Sequence, residues 1–411
     1  MVFPSVNALD INKVLTSPIG LVMSHAEIAV DTFFTMSGLL LIRGLMTGRQ
    51  KNVAKTLVKR YIRLIGPFAL CVLFYATACE YITNGPAWRE FIRSETEFCA
   101  KHWWKSLLMA NTDVATICPS VTWYISCDFQ LAILAAFLFW LFRMNRKLGI
   151  TAFLAVAVTL TVNLGLFVYW NQLDILPCNF KSISLKRDNS KVNGTYFSSQ
   201  GRAGPYLVGM VMGYIIATYK PAQHRHVIGK YRSIIIAIVS LLVGSIALSV
   251  GAIFSSRPYD PIEAAVVVAT NRTIWGISIC AIIGVCEYGS LTLIPKILSW
   301  QGFVPLSKLT YCIYLLHIIV IHLAKYSARS VGTYSMYYVI LNTCGVTVVT
   351  CGASLVLHLI LEAPLINVAN ALFSEKSKHP EQDDTKREIT QNGNGEVKEE
   401  LLQNGNKVKI S

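Results

Sequence analysis

Val30-Asp31-Thr32-Phe33-Phe34-Thr35-Met36-Ser37-Gly38 lies in a run from about His25 to Leu45 that is long enough to cross a bilayer. The run carries two carboxylates, Glu27 and Asp31, where helices facing hydrocarbon normally carry none. Residues three and four apart are neighbours on a helix, so Glu27, Asp31, Phe34 and Gly38 share one face. An ionised carboxylate facing lipid costs at least about 2.5–3.5 kcal/mol on insertion scales. Asp31 is therefore expected to point into a bundle interior or a wet cavity, with Gly38 admitting a neighbouring helix. Either a structural acid paired inside the bundle or a site residue satisfies this.

Composition sets the class around that helix. With 53% hydrophobic residues, 15% charged residues and a mean hydropathy of +0.48 over 411 residues, the chain is too apolar for a soluble domain. An all-α, polytopic transmembrane helix bundle is expected. The net charge is +14, but the segment from Ser374 to Ser411 holds 7 basic and 8 acidic residues, so the excess lies in the loops of the membrane part. These basic residues adjoin apolar spans and form no separate basic domain, which argues against nucleic-acid binding.

The residues before about Ile19 show no basic n-region followed by an apolar h-region, so no cleavable signal is expected. After the first span comes a basic, acid-free loop containing Arg43, Arg49, Lys51, Lys55, Lys59, Arg60 and Arg63, which the positive-inside rule makes cytoplasmic. Further apolar runs at about 62–83, 121–142, 148–170, 204–219, 233–254, 262–286, 309–327 and 335–361 bring the total to nine spans. Alternation then places Arg143, Arg146 and Lys147 inside, together with the Lys220 to Arg232 cluster, in agreement with the first loop. The outward loops contain Cys99, Cys118 and Cys178 and the glycosylation acceptor Asn193, as suits an extracellular or lumenal compartment. Cys99 and Cys118 are the expected disulfide, with Cys79 and Cys178 as competing partners. No metal-ligand spacing is evident, and no metal is expected. Three segments follow: a short outward-facing one at 1–24, a transmembrane domain at 25–365, and a tail at 366–411 whose polar, mixed-charge composition predicts a disordered cytoplasmic segment.

Three further stretches put polar groups where an inert bundle would not. In Trp123-Tyr124-Ile125-Ser126-Cys127-Asp128-Phe129-Gln130, Asp128 should lie about 10 Å deep from the outer side, and Asp31 about 9 Å deep from the same side, so the two acids could share an outward-facing cavity, or Asp128 could be a local hydrogen-bond acceptor beside interfacial Trp123 and Tyr124. Arg60 and Arg63, one turn apart at the cytoplasmic entrance of span two, make a two-pronged donor suited to phosphate, although topogenic charges look the same. In Lys308 to His317, the stripe Tyr311, Tyr314 and His317 sets an imidazole near mid-membrane.

Taken in order, these stretches resemble the acyltransferase-3 family, and within it the animal branch of nose resistant to fluoxetine proteins. The resemblance rests on Asp31-x-Phe33-Phe34-x-x-Ser37-Gly38, Arg60-x-x-Arg63-x-x-x-Pro67, Trp123-Tyr124-x-x-x-Asp128-x-Gln130, Pro205-Tyr206-Leu207-x-Gly209-x-x-x-Gly213, Leu309-Thr310-Tyr311-x-x-Tyr314-Leu315-x-His317 and Glu362-x-Pro364. No one of these is specific by itself; their order over about residues 25–365 is. The resemblance implies a multi-pass enzyme of about ten spans, in the plasma membrane or endoplasmic reticulum, that moves an acyl group from a cytoplasmic donor such as acyl-CoA to a lipid, sugar or other hydroxyl acceptor. No bound cofactor is implied, acyl-CoA being a co-substrate, and the partners are membrane lipid, acyl donor and acceptor. For the animal branch, transport of lipids or xenobiotics across epithelia is the rival implication.

The family's first span carries an Arg-x(10)-His pattern whose His is regarded as the general base, and no such span precedes the Asp31 helix in this sequence. The 411-residue chain alone is accordingly expected to turn over weakly. Of what it does contain, the catalytic candidates are Asp31, Asp128 and His317, with the carboxylates orienting or charge-balancing an imidazole and Arg60 and Arg63 binding the donor.

Overall fold

The computed structural model describes Asn7, Asp10, Lys13, Val14, Ile175 and residues 17–48, 52–110, 118–173, 195–224, 226–254, 257–329 and 335–373. Among these there are helices and turns and no strand. Asn193, Cys178 and the segment from Ser374 onward lie outside the described residues.

The first span starts earlier than the apolar run suggests. Ser17 caps α1 (Pro18–Ser24) by accepting from the Gly20 amide, with Pro18 at the first helical position. A 3₁₀ turn, Ala26–Ala29, joins it to α2 (Val30–Met46), and Pro18–Met46 is long and apolar enough to cross a membrane. Likewise α3 (Val53–Thr77) begins in the basic loop, where Asn52 accepts from the amides of Ala54 and Lys55.

The helix α4 (Pro86–Leu107) occupies a stretch read as loop. Its buried Trp88, Ile92 and Cys99 repeat with helical period, but interspersed charges break the apolar run that would have revealed them. After it come α5 (Trp123–Met144), α6 (Arg146–Asn171), α7 (Ser199–Thr218), α8 (Lys230–Phe254), α9 (Pro261–Tyr288), the short α10 (Leu293–Leu298), α11 (Phe303–Tyr326) and α12 (Met336–Leu357). A single π-helical turn, His358–Glu362, leads into α13 (Ala363–Phe373).

Among the described residues, seven segments meet the length and apolarity expected of a membrane span. Helices α3 and α7 are of spanning length as well, at 25 and 20 residues, but carry arginines in their bodies. Together they account for the nine apolar runs read from the sequence.

Two apolar clusters organise the part of the chain up to Ala369. One joins α2, α5 and α7 through Phe34, Ile42, Trp123, Leu131, Tyr206 and Met210. The other joins α3, α4 and α11 with the start of α5, through Phe68, Tyr75, Trp88, Ile92 and Leu315. Cys99 and Cys118 are disulfide-bonded inside this second cluster, whereas Cys79, also buried there, is a free thiol.

The closest pairing is α2 on α7. A Cβ on Gly38 would run into the Tyr206 carbonyl, one on Gly209 into that of Thr35, and one on Gly213 into that of Leu39. Small residues therefore let the two backbones touch, as membrane helix pairs use them. Residues 35 and 39 lie beside 209 and 213, so α2 and α7 run parallel, as spans one and five of an alternating bundle must.

Candidate active site

The close α2–α7 contact brings Asp31 against Arg202. Arg202 Nη1 donates to Asp31 Oδ1 and Oδ2, each at 2.9 Å, and both side chains are fully buried, at 0% exposure. The guanidinium lies between two rings, 4.5 Å from the Tyr196 centroid and 5.0 Å from that of Trp123, and its Nε donates to the Tyr196 carbonyl at 3.1 Å. Charge pairing, ring contact and hydrogen bonding together offset the cost of burying two ions. Arg202 Nη2 has no partner among the described residues.

A second layer sits beside the first. Arg272 Nη2 lies 3.8 Å from Glu27 Oε1. Asn271 Nδ2 donates to the Ala247 carbonyl at 3.0 Å and stands 3.1 Å from His25 Nε2. An amide nitrogen only donates, so Nε2 is the accepting nitrogen and the His25 proton belongs on Nδ1, which is buried without a partner among the described residues. Asn271 is 6% exposed, which bars its acceptor triplet from glycosylation.

Ser37 lies six residues along α2 from Asp31, about 9 Å further down the helix. It donates to Asp128 Oδ1 at 2.5 Å and accepts from Arg60 Nη2 at 2.8 Å. Arg60 Nη2 also forms an ion pair with Asp128 Oδ2. One turn after Arg202, the hydroxyl of Tyr206 is buried with no partner among the described residues. Two residues past Asp128, Gln130 donates to the Met109 carbonyl at 2.9 Å and accepts from Ser199 at 2.5 Å, tying α5 to the start of α7.

Asp31 and Asp128 are each held by a different arginine, Arg202 and Arg60 respectively. The two-pronged donor does not form, because Arg60 turns inward onto Asp128 while Arg63 is exposed. His317 is half-buried on α11, its Nδ1 2.6 Å from the Tyr314 carbonyl. A carbonyl only accepts, so Nδ1 carries the proton and Nε2 keeps its lone pair. From His317, rings connect through Tyr314 at 5.7 Å, Tyr124 at 5.3 Å and Phe34 at 4.7 Å to the helix that bears Asp31.

Arg202 and Arg272 were missed in the sequence. The apolar run of α7 starts at 204, which left Arg202 looking like a boundary charge, and Arg272 lies inside the apolar run 262–286. An arginine within the body of a helix of spanning length was the available signal.

A family-wide comparison matches residues 5–359 to the Acyltransferase domain that defines the acyltransferase-3 family. The chain belongs to the acyltransferase-3 family. It is 24% identical over 383 residues to nose resistant to fluoxetine protein 6 of Caenorhabditis elegans, covering 86% of this chain and 46% of the worm protein. The chain therefore spans about half the length of this curated relative. No solved structure matches it. In acyltransferase-3 terms, the matched region takes in all three ion pairs, the aromatic connection and His317.

Proposed function

We propose that this protein is a membrane acyltransferase that moves an acyl group from a cytoplasmic acyl-CoA-like thioester to a hydroxyl of a lipid, sugar or other acceptor. The observation that carries the reading is the 2.6 Å contact between His317 Nδ1 and the Tyr314 carbonyl. The Nδ1–H is spent on that carbonyl, which leaves Nε2 as a neutral base within the bundle. The acceptor oxygen forms a bond to the thioester carbonyl carbon as Nε2 takes its proton. The carbon–sulfur bond breaks, and the thiolate leaves with that proton. Asp31 and Asp128 act as positioning groups that fix α2, α5 and α7 through Arg202 and Arg60, and exposed Arg63 is the cation open to donor phosphate.

A transporter of lipids or hydrophobic small molecules is the second reading. It is favoured by an open apolar groove of about 600 Å³ between α11 and α12, lined by Val320, Leu323, Leu341 and Val346. Purified protein in lipid vesicles, given radiolabelled acyl-CoA, distinguishes the two. Labelled acyl product should form, and His317→Gln should lower its rate about 10²–10⁴-fold. Label that crosses the vesicle with no new covalent species would establish transport instead.

A further inference from the structure

A separate group of polar side chains lies where α11 meets the π turn. Cys312 Sγ, His358 Nδ1 and a Glu362 carboxylate oxygen all fall within 4.8 Å of one another. Glu362 Oε2 is 3.1 Å from the sulfur and 2.8 Å from the imidazole nitrogen. Cys312 is 0% and Glu362 1% exposed. Single π turns recur at functional sites, and this one sets His358 and Glu362 four residues apart on the side that meets α11.

Charge is the difficulty this group must solve. Glu362 is an almost fully buried carboxylate whose only ion-pair partner among the described residues is the imidazole of His358. A divalent cation balanced by one carboxylate and one thiolate leaves no net charge. Sulfur, imidazole nitrogen and carboxylate oxygen are also the donor types that zinc selects. Tetrahedral coordination at metal–ligand lengths of about 2.0–2.3 Å puts donor atoms about 3.5 Å apart. The two contacts to Oε2 need only open slightly, and the sulfur–nitrogen separation is already within 4.8 Å.

We propose that Cys312, His358 and Glu362 form a three-ligand site for zinc or a zinc-like divalent metal, with a fourth position open. Binding releases the Cys312 thiol proton and moves the His358 proton from Nδ1 to Nε2, so that sulfur and nitrogen both present lone pairs. The metal would lock α11 to the turn that closes the domain. Next to Cys312, Tyr311 already donates to the Leu64 carbonyl of α3 at 2.6 Å, and His317 lies five residues further along α11.

Full-length protein purified in detergent without chelator is expected to carry about one zinc per chain by elemental mass spectrometry. Replacing the zinc with Co²⁺ should produce a thiolate-to-cobalt charge-transfer band. Cys312→Ser should abolish that band, and His358→Gln should lower bound metal by about 10-fold or more. X-ray absorption of the unmodified zinc protein should show one sulfur among nitrogen and oxygen ligands, and it decides the matter even if a variant does not fold. Well under one metal per chain, a zinc shell without sulfur, or a cobalt band that survives in folded Cys312→Ser would each overturn the site.

Discussion

The buried Asp31–Arg202 pair predicts an asymmetric response to removing either partner. Arg202→Met leaves Asp31 at 0% exposure with no cation, and breaking a buried pair in this way costs about 3–5 kcal/mol. Asp31→Asn removes the carboxylate charge but keeps the guanidinium between Trp123 and Tyr196, with its Nε still donating to the Tyr196 carbonyl. Cation–π contacts at desolvated sites are worth about 0.5–2 kcal/mol, so Asp31→Asn should cost about 1–2 kcal/mol less than Arg202→Met. The double variant Asp31→Leu/Arg202→Met buries no charge and should recover most of the loss. The assay is reversible unfolding in mixed micelles, followed by helical circular dichroism, on the parent protein and these three variants. The reasoning fails if Arg202→Met costs less than about 1 kcal/mol, or if Asp31→Asn is the more damaging single change.

Three other outcomes follow from the same framework. Gly209→Val drives a side chain into the Thr35 carbonyl and should destabilise the α2–α7 contact by about 1–3 kcal/mol or more, read as a lowered unfolding midpoint. Reduction-sensitive peptide mapping should recover Cys99 joined to Cys118, and Cys118→Ser should cost roughly 3 kcal/mol in the chain-entropy model; finding Cys99 linked to any other cysteine would contradict it. With the outward loops in the lumen, glycosidase should lower the apparent mass and Asn193→Gln should abolish the shift, while an unmodified Asn193 together with an externally accessible C-terminal tag would reverse the topology.

The architecture was legible because membrane spans are written as long apolar runs, and one conflict within them, Asp31, pointed to an internal partner. The partner itself was not legible. Arg202 lies 171 residues away, and only the glycine-lined contact between α2 and α7 brings it into reach. The partner of Arg60 was hidden for a related reason. Positive charges at a span entrance satisfy the topology rule whichever way their side chains turn, and only the packing of α3 against α5 shows that Arg60 turns to Asp128. Cys312, His358 and Glu362 escaped notice because the first is 46 residues from the second, although His358-x-x-x-Glu362 places two donors one helical turn apart. Helix α4 was missed because its buried stripe is narrow and interrupted by charged residues.

Pairing changes what the two membrane acids can contribute to chemistry. A carboxylate that accepts two hydrogen bonds from a buried guanidinium, as Asp31 does, is geometrically fixed. To act as a base it would have to take a proton while its arginine stayed buried and lost its counter-ion, which carries the cost of breaking the pair. Asp128 is engaged more fully still, by Arg60 on one oxygen and Ser37 on the other. Neutral His317 has no such penalty, since protonating Nε2 breaks no ion pair among the described residues. The carboxylates therefore fit a frame that holds α2, α3, α5 and α7 in register, and the imidazole fits the moving proton. That division of labour also explains why buried charge alone does not separate an acyltransferase from a transporter: both need the frame, and only the enzyme needs the lone pair.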